Sequence, residues 1–540
     1  MTIKLLTLTA AATTVLLAGC DMAAQDGSGT DQRQSMNGLV VDGRVANGIV
    51  WVDRNNNNRI DDFEPRARTD SQGYYSYNPE TDTDYCAFPE QAFEYRYCLR
   101  YGSSLDQAVV RVRGGIDLAT GERLKGVMAM QTSLADASEQ RDDPRVLSPI
   151  SSLIESAGNE VNRNNVLTAL GISEEDLRLD FSDLSGDGAE LYRKQRMLAN
   201  AVAVQSLLEV LSDVADDSAG SSREQKQLTV LATLADNLAA NPDKRPTRLD
   251  ESDIKTLISQ LKTGEDERSN AAATHLASMT ERLNRSAPND NGQTDNNEAA
   301  QDVMKAIKTN EILFQLVKKD INDQDANART ALGDSGFLDA LDNAIGNLGS
   351  DDNLDIQSVV NDISKNGATD AATLVENAKL VTTTWGGQWF VLQIGEADAD
   401  KANAAESYVA VRLDGNANSD SGRMGICANL IRDEDKKSYP NEFFTGSWIK
   451  LGGGTLALDI DYEGVEVDGK MKALAKTENG RPMFRFSTDI EEFSDRTEEA
   501  VYNATAVDYL KGSNHARPQS ASDCVGLSED ADFISALSAS

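Results

Sequence analysis

The chain changes its hydrophobic rhythm along its length. Between residues 38 and 140, short β-branched and aromatic runs stand between turn signals. Leu39-Val40-Val41, Ile49-Val50-Trp51-Val52, Tyr74-Tyr75-Ser76-Tyr77 and Val109-Val110-Arg111-Val112 read as strands. Asp42-Gly43 and Asn47-Gly48 are turn dipeptides, and Gly73 and Gly114-Gly115 punctuate further. This pattern predicts a β-sandwich.

From 145 to 380 the period lengthens. Leu191, Met197, Leu198, Val202, Leu208 and Leu211 recur at helical spacing, which predicts a long amphipathic helix over 191–214. Similar spacing runs through 228–238, 254–261, 275–283, 303–317, 337–348 and 356–363. Breaks fall at Asn241-Pro242, 262–266, 287–297 and 333–336, and 287–297 is polar enough for a mobile loop. Ser148-Pro149 reads as a helix start, with Ser as N-cap and Pro in the first turn. No repeat period stands out, which disfavours a solenoid. From 381 to 540 strand chemistry returns in 382–385, 389–392, 408–411, 448–451, 455–460 and 483–486. The expected fold is multidomain: an N-terminal β-sandwich, an all-α middle region and a C-terminal antiparallel β-domain, either a sandwich or a small barrel.

Residues 1–19 fit none of these patterns. Lys4 leads an uncharged stretch, Leu5 to Gly19, shorter than the ~20 residues of a membrane span but suited to a signal peptide. It ends in Leu17-Ala18-Gly19-Cys20, which resembles the bacterial lipobox. That resemblance implies cleavage before Cys20 and a diacylglycerol on its thiol, so the expected partner is a membrane of the cell envelope. Asp21 resembles an inner-membrane retention signal, and the choice of membrane stays open. Residues 20–37 are Gln, Asp, Ser, Gly and Thr with little to bury, a flexible tether. No later segment is expected to be long and apolar enough to span a bilayer.

Composition narrows the chemistry. The 540 residues suggest about three to five domains. Acidic side chains number 88 against 52 basic, a net charge of −36, and that field excludes a nucleic-acid partner. There are 2 histidines, His275 and His515, so a His-rich metal site is excluded. Neither a phosphate-binding glycine loop nor Gly-x-Ser-x-Gly occurs, and no catalytic residue is nominated. Of the 5 cysteines, assigning Cys20 to lipid leaves Cys86, Cys98, Cys427 and Cys524. An even remainder in an exported chain suggests disulfides. Pairing Cys86 with Cys98 and Cys427 with Cys524 keeps each bond within one domain.

One motif carries metal chemistry. Asp53-Arg54-Asn55-Asn56-Asn57-Asn58-Arg59-Ile60-Asp61-Asp62-Phe63-Glu64 has Asp or Asn at loop positions 1, 3, 5 and 9 and Glu at position 12. Ca²⁺ needs six to eight oxygens, and alternate side chains of a tight loop encircle it. The expected ligands are the Asp53, Asn55, Asn57, Asp61 and Glu64 side chains and the Arg59 carbonyl. Position 6, usually Gly, is Asn58, which also tolerates positive φ. A strand leads in and Pro65 follows directly, which rules out an ordinary EF-hand. The competing expectation is an Asx-rich turn held by its own hydrogen bonds.

With its flanks, from Val41-Asp42-Gly43 to Thr69-Asp70-Ser71-Gln72-Gly73-Tyr74, this segment resembles the B-repeat or carboxypeptidase-regulatory-like β-sandwich modules of bacterial surface proteins. The resemblance implies a sandwich, an extracytoplasmic setting and a spacer or adhesive role. The function expected is a non-enzymatic, lipid-anchored envelope protein that binds a protein or glycan partner or acts as a scaffold. The alternatives are a small-ligand binder with a cavity near Trp385, Trp389 or Trp448, and an envelope hydrolase using two carboxylates. Oxygen-rich stretches at 414–420 and 183–188 read as an Asx turn and a helix cap.

Overall fold

The structure is a computed structural model. It describes residues 34–524 except 102–106, 125, 134–144, 186–187, 217–221, 265, 287–296, 349–352, 381–384, 388, 394–407, 417, 433–436, 452–453, 463–464, 479–480, 490–498, 506–517 and 521. The leader with Cys20, the polar loop before residue 297, the 382–384 run and His515 therefore lie outside the described residues.

The N-terminal strands are β1 (Gln34–Ser35), β2 (Gly38–Val40), β3 (Val45–Ala46), β4 (Ile49–Asp53), β5 (Arg66–Arg68), β6 (Tyr74–Tyr75), β7 (Tyr77–Asn78), β8 (Thr83–Asp84), β9 (Arg100–Tyr101), β10 (Gln107–Arg113), β11 (Ile116–Asp117), β12 (Val127–Ser133) and β13 (Arg145–Leu147). A four-stranded sheet runs β12-β10-β4-β5. Strand alternation sets its faces: Val50 and Val52 oppose Val112 and Val110 and bury with Met36, Leu99 and Met128. A second sheet, β13-β2-β6, shares that core through Leu147, Val40 and Tyr75. The Tyr-rich run expected as one strand is split at Ser76, whose φ of 62° breaks the extended chain between β6 and β7. The β-domain also reaches beyond the expected 140. β13 pairs with β2 in parallel, because Val146 and Leu147 are apolar and almost wholly buried.

The helices are α1 (Pro149–Glu155), α2 (Glu160–Leu170), α3 (Gly188–Val214), α4 (Arg223–Ala240), α5 (Glu251–Leu261), α6 (Glu267–Ser286), α7 (Asn297–Asp323), α8 (Ala326–Gly333), α9 (Ser335–Gly346), α10 (Ile356–Asn366) and α11 (Ala371–Asn377). Ser148 caps α1 in a reciprocal box with Ser151. α3 packs against α1, α4, α6 and α7. By length and composition it could cross a membrane, because most of its charges gather in its first turns, but 83% of its most apolar window is buried inside the protein. It is the core helix, which corrects the expectation that no segment after the leader is so apolar. The helical core also takes in Leu39, Val41, Tyr74 and Val146, so β-domain and helices share one interior.

The C-terminal strands are β14 (Trp389–Gln393), β15 (Tyr408–Leu413), β16 (Ser421–Arg432), β17 (Lys437–Leu451), β18 (Thr455–Tyr462), β19 (Val465–Glu478), β20 (Arg481–Asp489) and β21 (Glu499–Thr505). Each pairs with the next, and β21 pairs back to β14 through Val391 and Leu392, closing a barrel. Closure removes exposed strand edges. Met424, Trp448, Leu456, Leu458 and Met471 form one apolar cluster. By the two-residue alternation of strands, Ser447, Ile449, Ala457, Asp459, Lys470 and Lys472 face the other way. Ile449, Leu451 and Ala457 pack on Ala46, Tyr85, Tyr97 and Ile116 of the β-domain.

Candidate functional site

The expected calcium loop leaves β4 at Asp53. Side-chain oxygens curl it. Asp53 accepts from the backbone N–H groups of Asn57 (3.1 Å) and Asn58 (2.9 Å), and Asn55 and Asn57 accept from the N–H groups two residues on. Asn56 takes a φ of 54°, and Asn58, at position 6, takes the positive φ of 63° expected there. Buried Glu64 closes the loop, accepting from the N–H groups of Arg54 (2.7 Å) and Asp61 (3.1 Å). Asp61 accepts from the amides of Asn55 (2.7 Å) and Asn57 (2.9 Å). Asp53, Asn55, Asn57, Asp61 and Glu64 are thus linked in one hydrogen-bonded loop.

Sequence reasoning missed Arg111. From β10 it meets buried Asp53 at 2.6 Å and also donates to Asn56. The signal was an arginine in the apolar run Val109 to Val112, where strand alternation puts it on the face of Trp51, its cross-strand partner. Among the described residues, no three His, Cys, Asp or Glu side chains stand ready as a metal-holding group. Asn58 does keep a buried amide oxygen with no hydrogen bond, a free acceptor within the loop.

Both disulfides are present, Cys86–Cys98 with Cα atoms 4.9 Å apart and Cys427–Cys524 at 5.3 Å. The first ties two 3₁₀ turns beneath the barrel contact, and the second fastens Cys524 to β16. The 414–420 stretch is an Asx turn, with Asn416 accepting from the Asn418 N–H. His275 on α6 meets Asp320 of α7 at 3.1 Å, and Arg329 holds the other oxygen of this buried carboxylate at 2.7 Å.

Two charged clusters lie at the domain junctions, and neither was visible in the sequence. At the barrel junction, buried Glu122 receives Lys470 and Lys472 of β19 at 2.6 Å each, and Lys472 also reaches Asp355 at 3.4 Å. Burial works to raise the Glu122 carboxyl, but the two ammonium groups prevail and hold it at about 2. Nearby, Asp459 of β18 binds Arg68 (2.9 Å) and Arg96 (2.6 Å), which keep its carboxyl below the ordinary range against the opposing effect of burial.

The helix junction has one opposite-charge pair, Arg44 with Asp180 at 2.6 Å, and one cluster in which carboxylates gather. Asp42, Asp117, Glu209 and Glu311 line one cavity of about 30 Å³ with Thr120, Gln205 and Ser206. Burial, with Asp117, Glu209 and Glu311 adding repulsion, pushes the Asp42 carboxyl well up. Burial raises Asp117 to about 6, although Thr120 and the Ala119 N–H donate to it. Gly43 admits this crowding, since a Cβ there would lie 2.1 Å from Asp117 Oδ1. Comparison with protein-family models, curated proteins and solved structures returned no match.

Proposed function

We propose that the chain is a lipid-anchored protein of the bacterial cell envelope. In this reading a calcium-stabilised β-sandwich and the helical region hold the C-terminal barrel in a fixed attitude, as a non-catalytic binding, adhesion or scaffold protein for a protein or glycan partner. The observation that supports it best is the fastening of the barrel. Its outer wall meets the β-domain through Ile449, Leu451 and Ala457, and buried charge pairs flank that contact. A scaffold needs such fixed geometry between anchor and binding module. In the loop, calcium would be held by Asp53, Asn55, Asn57, Asp61, Glu64 and the Arg59 carbonyl. Rotating the Asn55 and Asn57 amides exchanges nitrogen for oxygen at Asp61, so the residues fit an oxygen-seeking cation. Bound calcium supplies positive charge that ties the loop ends together.

The anchor is tested by fractionating cells that make wild type or Cys20→Ser. Wild type is expected in the membrane fraction and the variant in the soluble one. Equal distribution of the two would overturn the anchor. A second reading, a carrier of a small apolar ligand, is favoured by the apolar cluster of Val411, Met424, Trp448 and Leu458 in the barrel, since eight-stranded barrels are wide enough for one small ligand. Trp385 belongs to that cluster and Trp389 does not. A small molecule retained through purification and seen by native mass spectrometry would distinguish it.

A further inference from the structure

We propose that the exposed tip of the segment joining β4 to β5 docks on the anionic phospholipid surface of the membrane that holds the chain. Phe63 enters the bilayer interface, and Arg54, Arg59 and Arg66 meet the lipid phosphates. This docking presupposes the lipid-anchored reading and does not require calcium in the loop.

The fold uses the side chains of this segment unevenly. Asp53 is buried against Arg111 at 2.6 Å, and buried Glu64 accepts from two backbone N–H groups. Ile60 and Asp61 are half-buried, and Asp61 accepts from the Asn55 and Asn57 amides. What stays outside is Phe63, 61% exposed against 36% for Phe88, with exposed Arg54, Arg59 and Arg66, which Asp62 opposes. One exposed phenylalanine by itself is ordinary. Here it stands among three arginines that have no ion pair or side-chain hydrogen bond among the described residues. In a chain of net charge −36, the exposed charge of this tip is of the opposite sign, which suits an anionic surface.

The tether puts that surface within reach. Cys20 to Gln34 is at most about 50 Å of chain. Gln34 pairs with Tyr101, and the step from Tyr101 to Gln107, where β10 starts, is at most about 20 Å of chain. Val109 of β10 faces Asp53 at the neck of the loop. The tether's entry and the tip therefore lie close enough to meet one surface. At physiological ionic strength the screening length is about 8 Å. The tip then feels the lipid charge, while the acidic bulk of the protein is screened from it. Arginine suits the contact because its guanidinium forks onto phosphate oxygens. Each basic residue at an anionic surface shifts the contact equilibrium about fivefold. The anchor makes this second contact intramolecular, so modest affinity is enough to hold the protein in one attitude.

The test uses the full chain carrying Phe63→Trp, bound to vesicles whose acyl chains carry bromine, a quencher of indole fluorescence at short range. The four native tryptophans, Trp51, Trp385, Trp389 and Trp448, are buried, so a tryptophan at 63 reports on the tip. A trace of maleimide lipid captures Cys20 wherever its thiol is free, the remaining cysteines being paired. Chelator is present throughout, so calcium bridges nothing. Emission from the variant should fall on brominated phosphatidylglycerol vesicles and far less on brominated phosphatidylcholine, while the chain with Phe63 should show no such loss on either. Adding Arg54→Gln, Arg59→Gln and Arg66→Gln together should weaken the contact roughly a hundredfold and restore the emission. All three positions are exposed, so the fold is not at stake. Unchanged emission on phosphatidylglycerol vesicles that carry the chain, as an acidic protein partner for this tip would give, overturns the proposal. So does equal quenching on the two lipids, or equal quenching with and without the arginines. Failure of the anchor reading looks different: the chain would float with vesicles only when they contain the maleimide lipid.

Discussion

The two junctions of the β-domain use carboxylates in opposite ways. Toward the barrel, Glu122 and Asp459 each meet two cations at 2.6–2.9 Å. Toward the helices, Asp42 and Asp117 meet two further carboxylates across a cavity. The apolar contacts differ too. The helical core absorbs Leu39, Val41 and Tyr74 into one continuous interior. The barrel contributes only its outer wall, Ile449, Leu451 and Ala457. Where shared apolar core already joins two domains, a repulsive pocket is tolerable. Where apolar contact is thin, buried charge pairs complete the attachment. Charge complementarity is what separates glue from repulsion, and the helix junction holds one such pair of its own, Arg44 with Asp180 at 2.6 Å.

The largest effect tests the glue. Glu122→Ala leaves Lys470 and Lys472 buried with their main partner gone. Breaking one side of a buried pair costs about 3–5 kcal/mol. Thermal unfolding should show the barrel melting earlier, and limited proteolysis should release it. Replacing Glu122, Lys470 and Lys472 together by Met should recover most of that loss, since a packed apolar set matches a buried ion cluster. A Glu122→Ala chain as stable as wild type would show that the barrel is held by apolar contact alone.

Acid probes the same contact. The Glu122 carboxyl is depressed from 4.5 to about 2 in the folded chain. A depressed acid stabilises the fold above its unfolded pKa and loses that contribution as pH falls through the folded one. The depression corresponds to about 3 kcal/mol. The stability difference between wild type and Glu122→Gln should therefore be full above about pH 4.5 and vanish near pH 2. A difference that does not change over this interval would remove Glu122 from the junction's energetics.

How much of this was legible in the sequence follows from range. Local signals carried well: Ser148-Pro149 opens α1 with its cap, Asn47 takes a φ of 59° at a turn dipeptide, and Leu191–Val214 lies in one helix. Strands with interrupted patterns were missed. β16 carries glycines and β19 alternates lysines with apolar residues. Those lysines are the ones that reach Glu122, so the feature that hid the strand is the feature that docks it. The loop at 53–64 was legible because its oxygens are consecutive neighbours. The junction cavity was not, because positions 42, 117, 209 and 311 converge only through tertiary packing. α2, α8 and α11 lack a long apolar stripe and were also unreadable.

The smallest effect concerns the loop, where neighbouring oxygens make the competing Asx turn hardest to separate from a metal site. Asp53 already has Arg111 as a counter-charge, and Asn55 and Asn57 are neutral. Affinity should then sit near the ~10⁻⁴–10⁻³ M of extracellular modules. At ten times that dissociation constant, mass action gives about 1.4 kcal/mol. Residues 38–140 alone would be the wrong sample: they lack β13, and Leu39, Val41 and Tyr74 would lose the helical core that covers them. The full chain is the sample to use. Its melting temperature should rise in several millimolar calcium relative to chelator, and Glu64→Gln should remove most of that rise, because Glu64 joins Arg54 to Asp61 across the loop. Identical melting in calcium and chelator would show that the turn is held by its own hydrogen bonds, with Arg111 alone balancing Asp53.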